Sequence, residues 1–189
     1  MKPSFLLIGL GNPGTQYAAT RHNIGWLALD AAASAVNAEN WSEKPKFMSA
    51  VCEADIDDTP CLFVKPLTFM NRSGEAIKKF VDFYKLDPSK QILVCCDDID
   101  LPLGTHRLRM SGGPGTHNGL KSIVDTLGEN FPRLRIGLGP KSAETDLASW
   151  ILSRLTKQEE KALQPSLNHA VTAVREVMKQ NYGTPPHVR

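Results

Sequence analysis

Two short apolar runs constrain the fold of this 189-residue chain more than any other feature. Residues 5–10 read FLLIGL and end at the turn sequence Gly11-Asn-Pro-Gly14, whereas residues 92–96 read ILVCC and end at two aspartates. An uninterrupted apolar run that stops at a turn signal is typical of a buried strand. We therefore expect both runs to lie inside a sheet.

Apolar residues recur at helical spacing in the segments between the predicted strands. The first such stripe comprises Ile24, Leu27, Ala28, Ala31 and Ala35, with His22 at its entrance. Stripes of this kind indicate amphipathic helices that pack one face on a core. They predict helices at about 22–37, after Asn71, after the Gly-rich loop 111–115 and at about 157–182.

Further strands complete a mixed architecture. Segments 48–56 and 61–65 flank the turn residues 57–60 and predict a hairpin, and two more strands are expected at 104–110 and 134–138. Strands that alternate with helices favour an α/β fold, and the hairpin adds antiparallel pairing. We expect one domain over residues 1–189, with a mixed twisted sheet flanked by helices as an α/β/α sandwich.

Cysteine usage and hydropathy exclude several classes of protein. The four cysteines show no Cys-x-x-Cys spacing, and Cys95 and Cys96 lie within the second apolar run, so we expect reduced thiols in the core. No apolar stretch reaches the length of about 18 residues that a membrane-spanning helix needs. The N-terminal run is too short for a secretion signal. We expect a cytoplasmic protein.

A glycine pattern raises the possibility of a dinucleotide site. Gly9, Gly11 and Gly14 match G-x-G-x-x-G after a predicted strand. That site needs backbone N–H groups at a helix start, however, and Pro13 has no N–H while residues 15–21 delay the helical stripe. The sequence therefore disfavours dinucleotide binding.

Polar residues gather where the predicted apolar elements end, which is where sites form in α/β sheets. Each has a local explanation, such as a turn residue for Asn12, a helix cap for Asn71 or Asn118, and a surface residue for His22. Together they favour a shared site. The clusters are Asn12, His22-Asn23, Asn71, Asp97-Asp98 and His117-Asn118-Gly119.

Multi-residue motifs between residues 5 and 140 carry a resemblance to a known family. They are Gly9–Gly14 with Tyr17, Thr20–Trp26, Lys65–Gly74, Asp97–Gly104, Thr116–Lys121 and Arg133–Gly139. In this order they resemble the bacterial peptidyl-tRNA hydrolase family. Two features depart from its pattern: the loop reads Gly112-Gly-Pro-Gly-Thr116 where the family usually has a run of Gly with Ala, Ser or His, and Cys96 stands where His or Tyr is common. Neither departure replaces a presumed catalytic residue.

The resemblance implies hydrolysis of the ester between peptide and tRNA, without a metal or cofactor. Histidine suits deprotonation of water near neutral pH. The resemblance makes His22 this general base, with Asp97 as the partner that orients its ring and stabilises the imidazolium. It assigns substrate binding to Asn12, Tyr17, Met70, Asn71 and Asn118. Because neutral amides would desolvate a free α-ammonium, we expect a preference for N-blocked substrates.

The tRNA partner requires a local basic patch, since the formal net charge is only +2. Arg107 and Arg109 are expected to point outward from one strand, and Arg133 and Arg135 from another. The resemblance implies a clamp on a tRNA phosphate at Arg109 and Arg135, with Arg107, Arg133 and Lys121 as weaker candidates. A solvated basic face is the alternative explanation.

A non-catalytic RNA-binding relative with the same fold is the alternative from another class of protein. Loss of His22 or Asp97 would be its signature, and both residues are present. The five histidines are scattered without ligand spacing, so no metal site is expected. We expect a monomeric enzyme.

Overall fold

The computed structural model describes residues 2–38, 40–140 and 145–182. A seven-stranded sheet lies at its centre, in the order β2-β3-β4-β1-β5-β7-β6. The strands are β1 (Phe5–Gly9), β2 (Ser42–Lys44), β3 (Ser49–Ile56), β4 (Thr59–Pro66), β5 (Ile92–Pro102), β6 (His106–Arg109) and β7 (Arg133–Gly139).

The middle of the sheet is parallel and its two sides are antiparallel. Strand β1 pairs in parallel with β4 and β5, and β5 pairs in parallel with β7. The predicted hairpin is confirmed as β3 and β4, while β2 and β6 pair antiparallel with β3 and β7. The carboxyl ends of the four parallel strands therefore meet at one edge of the sheet.

Helices cover both faces of the sheet. Helices α1 and α6 pack on one face around Ile24, Leu29 and Val174, and helices α2 and α4 pack on the other around Phe80 and Ile123. The predicted α/β/α sandwich is confirmed. The helices are α1 (Ile24–Ala35), α2 (Ser73–Tyr84), α3 (Pro88–Gln91), α4 (Asn118–Leu127), α5 (Leu147–Ile151) and α6 (Lys157–Tyr182), with 3-10 turns at Arg21–Asn23, Pro45–Phe47 and Met70–Arg72.

Several predicted boundaries were wrong. Strand β5 continues past Cys96 to Pro102, because the backbone of Asp97 and Asp98 stays in the ladder with β7. Helix α1 begins at Ile24, since residues 21–23 form a separate 3-10 turn. The short elements β2, α3 and α5 were not predicted, because three to five residues carry too little periodicity.

Two glycines of the G-x-G-x-x-G motif allow α1 to pack closely against the end of β1. A Cβ atom on Gly9 would lie 2.4 Å from the carbonyl oxygen of Gly25 in α1, and one on Gly11 would lie 2.7 Å from the Trp26 ring. Residues 15–19 form turns, and no helix starts at the glycine loop. A dinucleotide site of the usual kind is therefore excluded, since it needs a helix N-terminus facing the pyrophosphate.

The cysteines are core residues, as predicted. All four are free thiols and buried. Burial raises the pKa of the Cys61 thiol and of the Cys95 thiol to about 12 each. Both remain protonated and unreactive near neutral pH. None of the described helices has the length and hydropathy needed to cross a bilayer.

Candidate active site

The 3-10 turn Arg21–Asn23 carries His22 to the carboxyl edge of the sheet. Asn23 is fully buried and binds both backbone groups of Asn12: its Oδ1 accepts from Asn12 N at 2.9 Å, and its Nδ2 donates to Asn12 O at 3.0 Å. On the other side Arg21 donates to Arg154 O at 3.0 Å and pairs with Glu159 of α6. These contacts fix the turn against the end of β1 and the start of α6.

His22 faces a buried carboxylate on β5. Its Nδ1 lies 2.9 Å from Asp97 Oδ1, and the two side chains are 12% and 3% exposed. Because a carboxylate accepts hydrogen bonds, Nδ1 carries the ring proton and Nε2 keeps its lone pair. His22 lines the cavity described below. The ring is thus in the tautomer that a general base needs.

A second imidazole reaches the same oxygen. His117 precedes α4, and its Nδ1 accepts from the backbone N–H of Gly119 at 3.1 Å and of Leu120 at 3.2 Å. These two bonds leave the ring proton on Nε2, which lies 3.1 Å from Asp97 Oδ1. The Asp97 carboxylate is therefore held between two imidazole N–H donors.

The two histidines also keep Asp97 ionised. Burial by itself would raise the pKa of this carboxyl group. Electrostatic interaction and hydrogen bonds with His117 and His22 outweigh burial and hold the pKa of Asp97 well below its ordinary value. Asp97 is a carboxylate at neutral pH and can stabilise a proton taken up by His22.

The histidine–aspartate cluster is the one group among the described residues whose ligand atoms lie close enough to hold a cation. The ligand atoms of His22, Asp97 and His117 lie within 4.8 Å of one another. Hydrogen bonds account for this closeness, since both rings donate to Asp97 and His117 Nδ1 is occupied by two backbone amides. A cation would have to displace two ring protons, so these residues fit a proton-transfer site better than a metal site.

Three asparagines surround this cluster and differ in burial and in hydrogen bonding. Asn12 is buried, and its Oδ1 accepts from Met70 N at 2.8 Å, so its Nδ2 group is what remains for a ligand. Asn71 and Asn118 are exposed, and within the described residues neither side chain has a hydrogen-bond partner. The predicted capping roles of Asn71 and Asn118 are wrong, because His117 caps α4 and no side chain caps α2.

A cavity of about 530 Å³ opens at this edge of the sheet. Phe69 and residues of α5, including Leu147 and Ile151, form its apolar wall. Tyr17 lies outside the lining and packs edge-on against Phe69, with ring centroids 6.5 Å apart. The sequence-predicted site residues in the lining are Asn12, His22, Met70, Asn71, Asp97, Asn118 and Arg135.

The arginines do not all point outward. Arg107 and Arg109 are exposed on β6, and Arg135 lines the cavity with its Nε 2.9 Å from Asp98 Oδ2. Arg133 is 1% exposed and donates to the carbonyls of Glu129 and Phe131, so its predicted outward orientation is wrong. Its guanidinium satisfies loop carbonyls that fold over the sheet.

Sequence reasoning missed the contacts of His117, Asn23 and Arg21. Each lies in or next to a polar cluster that the sequence singled out. Their partners are 11 to 138 positions away along the chain. The clusters could have marked these residues as candidates, but only the fold shows that they hold the site together.

The chain is similar to known proteins over most of its length. A family model described as Peptidyl-tRNA hydrolase matches residues 6–185. A peptidyl-tRNA hydrolase from Alkaliphilus oremlandii is 47% identical over 176 residues, which cover 92% of each chain. One from Chloroflexus aggregans is 42% identical over 177 residues, covering 93% of each. The crystal structure of peptidyl-tRNA hydrolase from Acinetobacter baumannii has a TM-score of 0.85 at 34% identity, covering 95% of this chain and 91% of that chain.

The fold and site define an α/β protein with a histidine–carboxylate pair in a cavity at the carboxyl edge of a mixed sheet. The family model spans most of the chain, and the relatives match it at high coverage. The chain belongs to the peptidyl-tRNA hydrolase family. The resemblance inferred from its sequence motifs is confirmed.

Proposed function

We propose that this protein hydrolyses the ester bond between peptide and tRNA in peptidyl-tRNA, with His22 as the general base. One observation carries the proposal: His22 donates its Nδ1 proton to the ionised Asp97 and keeps the Nε2 lone pair at a cavity wall. A water bound at Nε2 transfers a proton to His22 as its oxygen attacks the ester carbonyl. The imidazolium then returns the proton to the departing 3′ oxygen of the tRNA.

The asparagines would hold the acyl group around this water. Because Asn12 Oδ1 is already bonded to Met70 N, Asn12 contributes an N–H donor, which suits a carbonyl oxygen or the oxyanion that forms from it. Asn71 and Asn118 offer both a donor and an acceptor, as the peptide group of the substrate requires. Met70 and Tyr17 complete the proposed substrate contacts, Met70 in the lining and Tyr17 through Phe69.

Arg109 and Arg135 are the proposed clamp for a tRNA phosphate. In the ladder Arg109 lies opposite Arg133, so Arg109 and Arg135 occupy diagonal positions on one face of β6 and β7. Diagonal neighbours are about 7–8 Å apart, within reach of two long side chains. Lys121 and Arg107 remain weaker candidates for the same role, and the burial of Arg133 removes it.

The reaction needs no metal, because His22 and Asp97 already provide the base and its partner. We also propose that the protein acts as a monomer in the cytoplasm. An N-blocked substrate is preferred, since the free α-ammonium of an aminoacyl-tRNA would lose its solvation against neutral amides.

The test is release of the acyl group from N-acetyl-aminoacyl-tRNA by purified protein in the presence of EDTA. Free aminoacyl-tRNA serves as the substrate control. Hydrolysis of the blocked substrate alone, unaffected by EDTA, is expected. Equal rates on both substrates would contradict the proposed selectivity. Binding of tRNA without cleavage would identify a non-catalytic RNA-binding relative.

Replacing Asn12 by aspartate should test the donor role of this residue, since it removes the Nδ2 donor and adds a negative charge in its place. The new carboxylate keeps an acceptor for Met70 N but places an oxygen where the Nδ2 donor was. We expect kcat/KM to fall by about 10²–10³-fold, the usual cost of losing an oxyanion donor. Steady-state rates measure it, with Asn168→Asp on α6 as the matched control. A loss below about tenfold would argue against an Asn12 donor.

Replacing Arg109 by glutamine should weaken tRNA binding without changing discrimination among tRNAs. Loss of one phosphate contact is expected to reduce the slope of log K against log salt concentration by about 1. Filter binding at several salt concentrations measures the slope. Arg175→Gln is the control, because Arg175 pairs with Asp57 in the β3–β4 turn and is outside the cavity lining. An unchanged slope would support a solvated basic face.

A further inference from the structure

Two imidazoles share one carboxylate oxygen at the site. His22 Nδ1 lies 2.9 Å and His117 Nε2 lies 3.1 Å from the same Oδ1 of Asp97, and the ring centroids are 5.0 Å apart. The mechanism above uses only the first of these contacts. The second contact therefore requires its own explanation.

Hydrogen bonds at both ring nitrogens fix the orientation of His117. Its Nδ1 accepts two backbone N–H groups at the start of α4, and protonation there would break both bonds. The positive end of the α4 dipole also disfavours a second positive charge at this position. The ring is 7% exposed, so water does not replace these contacts. His117 therefore donates to Asp97 from Nε2 while its Nδ1 is occupied by the two α4 amides.

A carboxylate that already accepts one hydrogen bond attracts a second donor less strongly. The His117 N–H satisfies part of the negative charge on Asp97 Oδ1, which weakens the pull of Asp97 on a proton at His22. Without His117, the full carboxylate charge would act on His22 and favour its protonated form. A protonated His22 has no lone pair for the attacking water.

Other charged groups lie near the pair on neighbouring elements. Asp98 is paired with Arg135 on β7, and Arg21 points to Glu159 on α6. Asp100 and Asp146 line the same cavity from the end of β5 and the start of α5. All of these residues are unchanged in a His117 variant, so they do not produce a difference between variant and wild type.

We propose that His117 is a positioning residue that shares the Asp97 carboxylate with His22 and so keeps His22 in its base form, an inference that rests on the proposed function. His117 also caps the helix whose first residue is Asn118, and it therefore ties the position of that amide to Asp97. One side chain thus couples the proton acceptor to a proposed substrate contact.

The variant His117→Asn separates the two roles of His117, which are capping of α4 and donation to the Asp97 carboxylate. Asparagine is a favoured N-cap and retains an acceptor for the α4 amides, but it is too short to reach Asp97. We expect the acid limb of the kcat/KM pH profile to move upward by about half a unit to one unit. At a pH below that limb, this shift corresponds to a loss of about three- to tenfold. The plateau at higher pH should stay within a few-fold of wild type.

NMR of the imidazole rings measures the same effect without catalysis. The pH at which the His22 ring takes up its proton should rise by the same amount in His117→Asn and in a second cap-retaining variant, His117→Ser. His169→Asn on α6 is the control for loss of a histidine and should leave it unchanged. An unchanged or lower midpoint in either folded variant would overturn the shared-carboxylate role. If the wild type proves inactive, the proposed function fails while the NMR midpoints still decide this inference.

Discussion

Replacement of His22 by alanine is expected to reduce kcat for N-acetyl-aminoacyl-tRNA by about 10²–10⁴-fold, the usual contribution of a general base. The alanine variant has no proton acceptor at the cavity wall, while Asp97, Asn12 and the proposed phosphate clamp are retained. Single-turnover hydrolysis with excess enzyme measures the chemical step directly. The affinity for tRNA should change by less than about threefold, because the proposed phosphate contacts at Arg109 and Arg135 are unchanged.

Two controls sharpen the His22 experiment. His169→Ala removes a half-buried histidine on α6 that stacks on His106 and is outside the cavity lining, and it should leave the rate unchanged. Asp97→Asn should retain more activity than His22→Ala, since the ring stays in the cavity but loses its charged partner. A His22→Ala enzyme with more than about a tenth of wild-type kcat would contradict the assignment of the base.

Gly25→Ala is expected to cause a large loss of stability, because the added methyl group would overlap backbone atoms at the end of β1 and in β5. A Cβ atom at this position would lie 2.4 Å from both Leu10 N and Cys95 O, on the seam between β1 and β5. Neither backbone atom can move without breaking the Leu10 N to Cys95 O hydrogen bond of 3.0 Å. We expect the free energy of unfolding to fall by about 3 kcal/mol or more.

Urea denaturation followed by circular dichroism measures this destabilisation. Gly113→Ala is the matched control, because a Cβ there would meet only the end of the Glu129 side chain at 3.4 Å. It should change the free energy of unfolding by less than about 1 kcal/mol. Equal stabilities for the two alanine variants would show that α1 can shift away from the sheet at little cost.

The sheet was predictable because its strands carry local signals. The runs that became β1 and the first half of β5 are apolar and end at turn residues or aspartates, and the β3–β4 hairpin is bounded by a turn sequence. The continuation of β5 through Asp97 and Asp98 was missed, because carboxylates end an apolar pattern. The two histidines compensate for the burial of Asp97, and Arg135 on β7 compensates for the burial of Asp98.

The residues that line the cavity were easier to predict from the sequence than the hydrogen bonds that they make. Motifs at the ends of elements marked Asn12, His22, Asn71 and Asp97, all of which line one cavity. Which atom of Asn12 faces a ligand depends on Met70 N, a contact across 58 positions. The orientation of Arg133 depends on loop carbonyls that have no sequence signature. Local patterns name residues, whereas tertiary contacts determine which of their atoms are available.

Each residue of the turn Arg21–Asn23 contacts a different part of the fold. Arg21 reaches the α5–α6 junction, His22 reaches β5, and Asn23 reaches the end of β1. Displacement of the backbone of this turn would therefore disturb contacts with three elements at once. The ring is in place before any substrate arrives, so little of the substrate's binding energy is spent on arranging the base.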